Sequence, residues 1–269
     1  MTINLNSRLY DRLPEPVDAL QRAVYYGDGL LESMCMFQGR IPLWDKHWAR
    51  LHAGLHVFGY ELPPGWDAGF MLNEIHKVAS NNARIRLIVW RSPGGLYLPE
   101  GNLPQFMLTA TELPFGSFQW LDQGITLGVC RQGRRAADAF SGFKTLNALR
   151  YVAGIREARA NDWDDAVLLN ALERVCEATS SNIFWWEAGQ LYTVPLTEGC
   201  VAGVMRSAVL EKAGYAVQEK PVTFAALCQA DEIFLTNAVR GIIPVRIFAG
   251  KLLANLKTKM LFDTLAGRL

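Results

Sequence analysis

Lys144 stands in the run Phe143-Lys144-Thr145-Leu146-Asn147, between an aromatic and an aliphatic residue. Partial desolvation there disfavours the ammonium form and keeps the amine nucleophilic, as a lysine that forms an imine with a carbonyl requires. The bland alternative is a lysine snorkelling from a half-buried strand end. Three other segments stand out with it: Tyr26-Gly27-Asp28-Gly29-Leu30-Leu31-Glu32-Ser33, Cys176-Glu177-Ala178-Thr179-Ser180-Ser181-Asn182-Ile183-Phe184, and the stretch 196–206, LTEGCVAGVMR. Competing chemistries lack their signatures. Gly27-Asp28-Gly29 runs into Leu30, Leu31 and Glu32 instead of completing G-x-G-x-x-G, and the chain has no Walker A, H-E-x-x-H or G-x-S-x-G sequence. His52 and His56 are one helical turn apart, but no acidic or cysteine partner sits at ligand spacing, so solvated or packed histidines are the reading.

The elements that must position these residues alternate between helical and strand periods. Over 45–58, Trp48, Leu51, Leu55 and Phe58 share one face at spacings of three and four, behind an Asp45 placed to cap the helix. Residues 84–90 (RIRLIVW) read as a strand with arginines on one face at its start, ending in the turn Ser92-Pro93-Gly94-Gly95. Further strands are predicted at 106–110, 124–130, 166–170, 182–186, 190–194 and 232–236. Helices are predicted near 145–160, 203–214 and 222–229, with Gly214 as a stop. Pro and Gly break the pattern in 112–120, and the small-residue-rich, basic loop 131–142 has the make-up of a site-forming loop. These features predict an α/β chain with mixed sheets and two domains: a smaller one over 1–112, a linker at 113–118, and a larger one over 119–269 that carries Lys144.

Composition narrows the class. A chain of 269 residues, 50% hydrophobic and 20% charged, is long enough for a sizeable core. Its 27 Lys plus Arg against 26 Asp plus Glu leave no field for nonspecific binding of nucleic acid or an anionic membrane. Five scattered cysteines suggest neither a disulfide framework nor a zinc site. With a charged, proline-containing start and no long apolar run, a soluble cytoplasmic protein is the expectation.

In order and spacing the four segments resemble the fold-type IV pyridoxal-phosphate enzymes, the family of branched-chain and D-amino-acid aminotransferases and of aminodeoxychorismate lyase. The resemblance runs from about Tyr26 to about Val245 and includes the helix with Asp45, His47 and Arg50 and the segment Ala230 to Gly241. It implies a two-domain fold like that of D-amino-acid aminotransferase, with pyridoxal 5'-phosphate held as a Schiff base by Lys144. Glu177 corresponds to the acidic partner of the pyridine nitrogen, whose charge keeps that nitrogen protonated. Arg50 matches the phosphate-binding arginine, and Gly203, Val204 and Met205 match the backbone that cradles the phosphate at a helix start. A solvated helix charge is the alternative for Arg50. Thr236 and Asn237 add polar contacts to phosphate or substrate, with turn chemistry as the alternative. The family further implies a homodimer with its site at the domain junction.

The resemblance fixes the cofactor more firmly than the reaction. Ser33 stands where the lyases carry a threonine hydroxyl beside the lysine, a group suited to proton transfer. Asn237-Ala238 matches the lyase pair, and the run from Lys144 to Asn147 is lyase-like. Against this, Leu96 occupies the position of the lyase arginine that binds a substrate carboxylate. Arg240 is the candidate replacement, or else a solvent-facing cation; Tyr97 lines the pocket or packs in the core. The first reading is aminodeoxychorismate lyase in 4-aminobenzoate and folate synthesis. The alternatives are a D- or branched-chain amino-acid transaminase and an inactive cofactor-binding homologue.

Overall fold

A computed structural model describes residues 2–11, 20–266 and 268. Residues 12–19, part of the charged N-terminal stretch read above, lie outside the described residues. The chain divides into two compact units, one of Met1–Ser117 with Phe143–Asn147, the other of Phe118–Gly142 with Ala148–Leu269.

The first unit is built on five antiparallel strands: β1 (Ile3–Leu5), β2 (Arg8–Tyr10), β3 (Gly29–Met36), β4 (Ala83–Arg91) and β5 (Pro104–Glu112), in the order β2-β1-β5-β4-β3. Helices α1 (Gln21–Tyr26), α2 (Trp44–Val57) and α3 (Ala68–His76) complete it. The period-two alternation of β3 puts Leu30, Met34 and Met36 into a core with Leu51 and Leu55 of α2 and Met71 and Ile75 of α3. Asp45 does not cap α2: Leu43 is the cap residue and makes no side-chain bond, while Asp45 lies inside the first turn, where its charge complements the helix dipole. Gly54, at the start of the last turn of α2, is a poor helix former, but a Cβ there would meet Leu30 at 2.8 Å and Phe143 at 3.2 Å. That close approach seats Phe143 against the core.

The sequence reading put Lys144 in the second domain. Contacts instead place Phe143–Asn147 in the first unit, because this segment extends the β3 edge of the sheet. Leu31 N–H donates to Lys144 O at 2.8 Å, Leu146 N–H donates to Gly29 O at 3.0 Å, and Leu30 bridges Thr145. The predicted helix near 145 accordingly starts later, as α4 (Leu149–Ala160).

The second unit carries β6 (Ile125–Val129), β7 (Asp165–Leu169), β8 (Val175–Ala178), β9 (Asn182–Glu187), β10 (Gln190–Thr193), a 3-10 turn at Leu196–Glu198, α5 (Val204–Lys212), β11 (Val217–Glu219), α6 (Phe224–Leu227), β12 (Glu232–Asn237), β13 (Gly241–Phe248), β14 (Lys251–Leu252) and α7 (Leu256–Ala266). Its sheet is mixed: the order is β11-β10-β9-β12-β13-β6-β7-β8, with β14 beside β13, and the β10/β11, β13/β6 and β6/β7 pairs are parallel. In β9, Ile183 and Trp185 enter one core, while Phe184 and Trp186 enter the other with Val209 and Phe262. Burial on both faces explains why this strand reads as a continuous apolar run. Helix α4 covers β6 and β7 through Tyr151, Ile155 and Ala158, which pack with Cys130, Ala166 and Leu168.

Candidate active site

In the first unit, the sheet face opposite α2 gathers Lys144 and Ser33. The bridge between Leu30 and Thr145 sets the register, so Lys144 stands across from Leu31, on the face that Leu31 shares with Ser33. Ser33 is half-buried and diagonal to Lys144, a relationship that spans roughly 7–8 Å between backbones and lies within reach of long side chains. Opposite Ser33 on β4 lies Arg86, exposed and on the same face. Sequence reading saw a pair of strand arginines but had no register to connect them with Ser33.

The other face of β3 carries Glu32, buried beneath α2. Arg50 donates from Nε to Glu32 Oε1 at 2.8 Å and from Nη2 to Oε2 at 2.6 Å, and His47 Nδ1 lies 2.7 Å from Oε2. Burial pushes the Glu32 carboxyl up, but the Arg50 guanidinium and then His47 outweigh it and hold the group down at about 2. Arg50 is thus no solvated helix charge: its side chain is 11% exposed and fixed by a bidentate partner. The one-turn spacing of His47 and Arg50 was legible in the sequence, but the carboxylate they share was not.

Tyr97 is 90% exposed, which rules out core packing. With Tyr26, Asp28, Arg91 and Asn147 it helps line a cleft of about 270 Å³ in the first unit. Asp28 anchors that cleft by accepting from Arg22 Nε at 2.8 Å and Arg91 Nε at 3.1 Å, and Arg22 Nη1 donates to the carbonyls of Gly94 and Leu96.

In the second unit Glu177 is buried on β8, paired across the ladder with Leu168 and so on the face covered by α4. Its Oε2 accepts from Val201 N–H at 3.0 Å and its Oε1 from the Tyr151 hydroxyl at 2.8 Å. Arg135, from the basic loop, brings Nε to 3.4 Å from Oε1. This is ion-pair range, yet Nε is buried without a hydrogen-bond acceptor.

Helix α5 starts after Gly203 with no side-chain cap, so the N–H groups of Val204 and Met205 lie in a first turn that intrahelical bonds leave open. The side chains of Val204 and Met205 are buried core groups. Asn182 packs beneath Gly203, where a Cβ would come to 1.8 Å from Asn182 Oδ1. Across the ladder from Asn182 stands Thr236, whose hydroxyl is buried without a partner. Asn237 is committed to turn chemistry: its Oδ1 accepts from Val239 N–H at 3.0 Å and Arg240 N–H at 2.8 Å, and its Nδ2 donates to Ser181 Oγ at 2.9 Å. This tight turn holds Ala238 half-buried and leaves Arg240 exposed.

A profile of the class IV amino-transferases matches residues 29–248. The chain belongs to the class IV aminotransferase family. It is 30% identical to an aminodeoxychorismate lyase of Vibrio harveyi over 83% of this chain and 84% of that one. It is 27% identical to a D-alanine aminotransferase of Bacillus licheniformis, over 93% of this chain and 89% of that one. Among solved structures it is similar to the 4-amino-4-deoxychorismate lyase of Pseudomonas aeruginosa, with a TM-score of 0.83, 30% identity and 99% of each chain covered.

The family's enzymes use pyridoxal phosphate, and the residues present fit that group. An uncapped nine-residue helix start with an orphaned buried hydroxyl beside it is a ready site for a phosphate. Among the described residues no helix is long and apolar enough to cross a membrane.

Proposed function

We propose that the chain is an aminodeoxychorismate lyase, converting aminodeoxychorismate to 4-aminobenzoate and pyruvate. The observation that carries this reading is the hydroxyl of Ser33 on the same strand face as Lys144. Arg86 beside it offers a cation to a substrate carboxylate, in place of the arginine missing at Leu96. In this reading Lys144 holds the cofactor through its amine, Glu177 carries the charge opposite the ring nitrogen, and Arg50, the start of α5 and Thr236 serve the phosphate.

When bound, pyridoxal phosphate supplies an electron sink for the carbanion left by proton removal. Lys144 would take the ring proton of the substrate at its amine, acting as general base. As the ring C–O bond breaks, the Ser33 hydroxyl would relay the proton taken up by Lys144 to the departing enolpyruvyl group, which leaves as pyruvate. Arg86 attracts a carboxylate and fixes the substrate's orientation. The two carboxylates of the substrate suit a sheet face that presents exposed Arg84 and Arg86. The reading places the enzyme in 4-aminobenzoate and folate synthesis and takes it to be a cytoplasmic homodimer.

The test offers aminodeoxychorismate, and separately D-alanine or L-leucine with 2-oxoglutarate, to the same purified protein loaded with pyridoxal phosphate. Release of 4-aminobenzoate supports the lyase. No 4-aminobenzoate, together with amino-group transfer from either amino acid, replaces it with the transaminase reading.

A further inference from the structure

We infer that Tyr151 is a positioning residue for the cofactor, acting through Glu177. The inference rests on the reading that Glu177 faces the pyridine nitrogen. Tyr151 lies in the first turn of α4, and its hydroxyl donates to Glu177 Oε1 at 2.8 Å. Burial first, and then the negative charge of Glu177, push the phenol above its usual range. It stays protonated and can only donate to the carboxylate.

Other groups near the carboxylate act differently from Tyr151. Arg135 approaches the same oxygen but does not bond it: its Nε is 3.4 Å away and orphaned. Its Nη2 donates to the carbonyls of Ser141 at 3.2 Å and Gly199 at 2.9 Å, and its guanidinium lies 5.1 Å from the centre of the Tyr151 ring. The thiols of Cys176 and Cys200 are pushed up by burial and then by Glu177, so both stay neutral. Val201 N–H holds Oε2. Tyr151 therefore fixes the rotation of the carboxylate without cancelling its charge, as a second, well-aligned cation would. A pyridinium partner needs both properties, a full negative charge and one direction.

The test is a double-mutant cycle read by cofactor binding. Apo forms of wild type, Tyr151→Phe, Glu177→Gln and the double variant are titrated with pyridoxal phosphate, and the visible circular dichroism of each loaded form is recorded. Tyr151→Phe removes one oxygen and keeps the ring beside Arg135. It should weaken cofactor binding about ten-fold, the size of a hydrogen bond to a charged group, and change the visible dichroism while the far-ultraviolet spectrum holds. In the Glu177→Gln background the same substitution should change affinity less than about two-fold. Equal weakening in both backgrounds, or wild-type affinity and dichroism in Tyr151→Phe, overturns the inference. Failure of the reading beneath it looks different: Glu177→Gln alone would then bind and work like wild type.

Discussion

Arg50 and Glu32 are joined by two charge-assisted hydrogen bonds, and the carboxylate they share with His47 is 3% exposed. Removing one partner of such a buried group strands the others. Glu32→Ala should cost about 3–5 kcal/mol of stability, read from denaturant midpoints. Releasing the guanidinium should also weaken pyridoxal phosphate binding at least roughly ten-fold, measured by titration of the apo-protein.

The same triad predicts an acid limb. The folded-state pKa of Glu32, about 2, lies below the ordinary value of 4.5. Its stabilisation is therefore fully present above the unfolded pKa and is lost as pH falls from about 4.5 toward about 2, a contribution of about 3 kcal/mol. Urea unfolding of wild type and Glu32→Gln should differ most near neutrality and converge toward about pH 2. A constant difference across that range would assign the effect to packing.

Lys144 pairs through its backbone with Leu31 at the sheet edge. Reduction of the pyridoxal-phosphate-loaded protein with borohydride should place the cofactor on this lysine, and Lys144→Ala should lose both the adduct and turnover. Mass spectrometry of the peptides decides it, since an adduct on another lysine removes Lys144 from its role.

Replacing Glu177 by Gln keeps shape and hydrogen-bonding capacity but removes the charge held by Tyr151 and Val201. Cofactor should still bind, while the rate falls by about two orders of magnitude, as when a major electrostatic contribution is lost. Single-turnover kinetics measures it.

Ser33 and Arg86 face each other across β3 and β4. In 4-aminobenzoate release, Ser33→Ala should lower kcat. Arg86→Leu should mainly raise KM, by roughly ten- to a hundred-fold for a lost charge-assisted bond of about 1.5–3 kcal/mol. Arg240→Leu is the contrast: its residue sits in the turn that Asn237 closes after β12, whereas Arg86 stands directly across from Ser33, and near-wild-type kinetics are expected. A larger KM effect at Arg240 than at Arg86 would exchange their roles.

What could be read in the sequence was whatever is local. The apolar spacing of α2, the alternation and turn of β4, and the half-apolar setting of Lys144 follow from periodicity and neighbouring residue types alone, whereas Glu177 and Arg50 stood out only through the resemblance to the fold-type IV enzymes. The start and end of the segment around Lys144 did not. It reads as the lead-in to a helix, and only pairing with β3, more than a hundred residues earlier, makes it the edge of the first sheet. Long-range register likewise decided that Ser33, Arg86 and Lys144 share a face, because the side-chain period of two gives no direction until a partner strand sets it. Nothing in the local sequence singles out Tyr151 within the predicted helix near 145–160. Its hydrogen bond to Glu177 exists only because α4 packs over β6 and β7, since a bond between residues 26 apart is fixed by packing and not by the local chain.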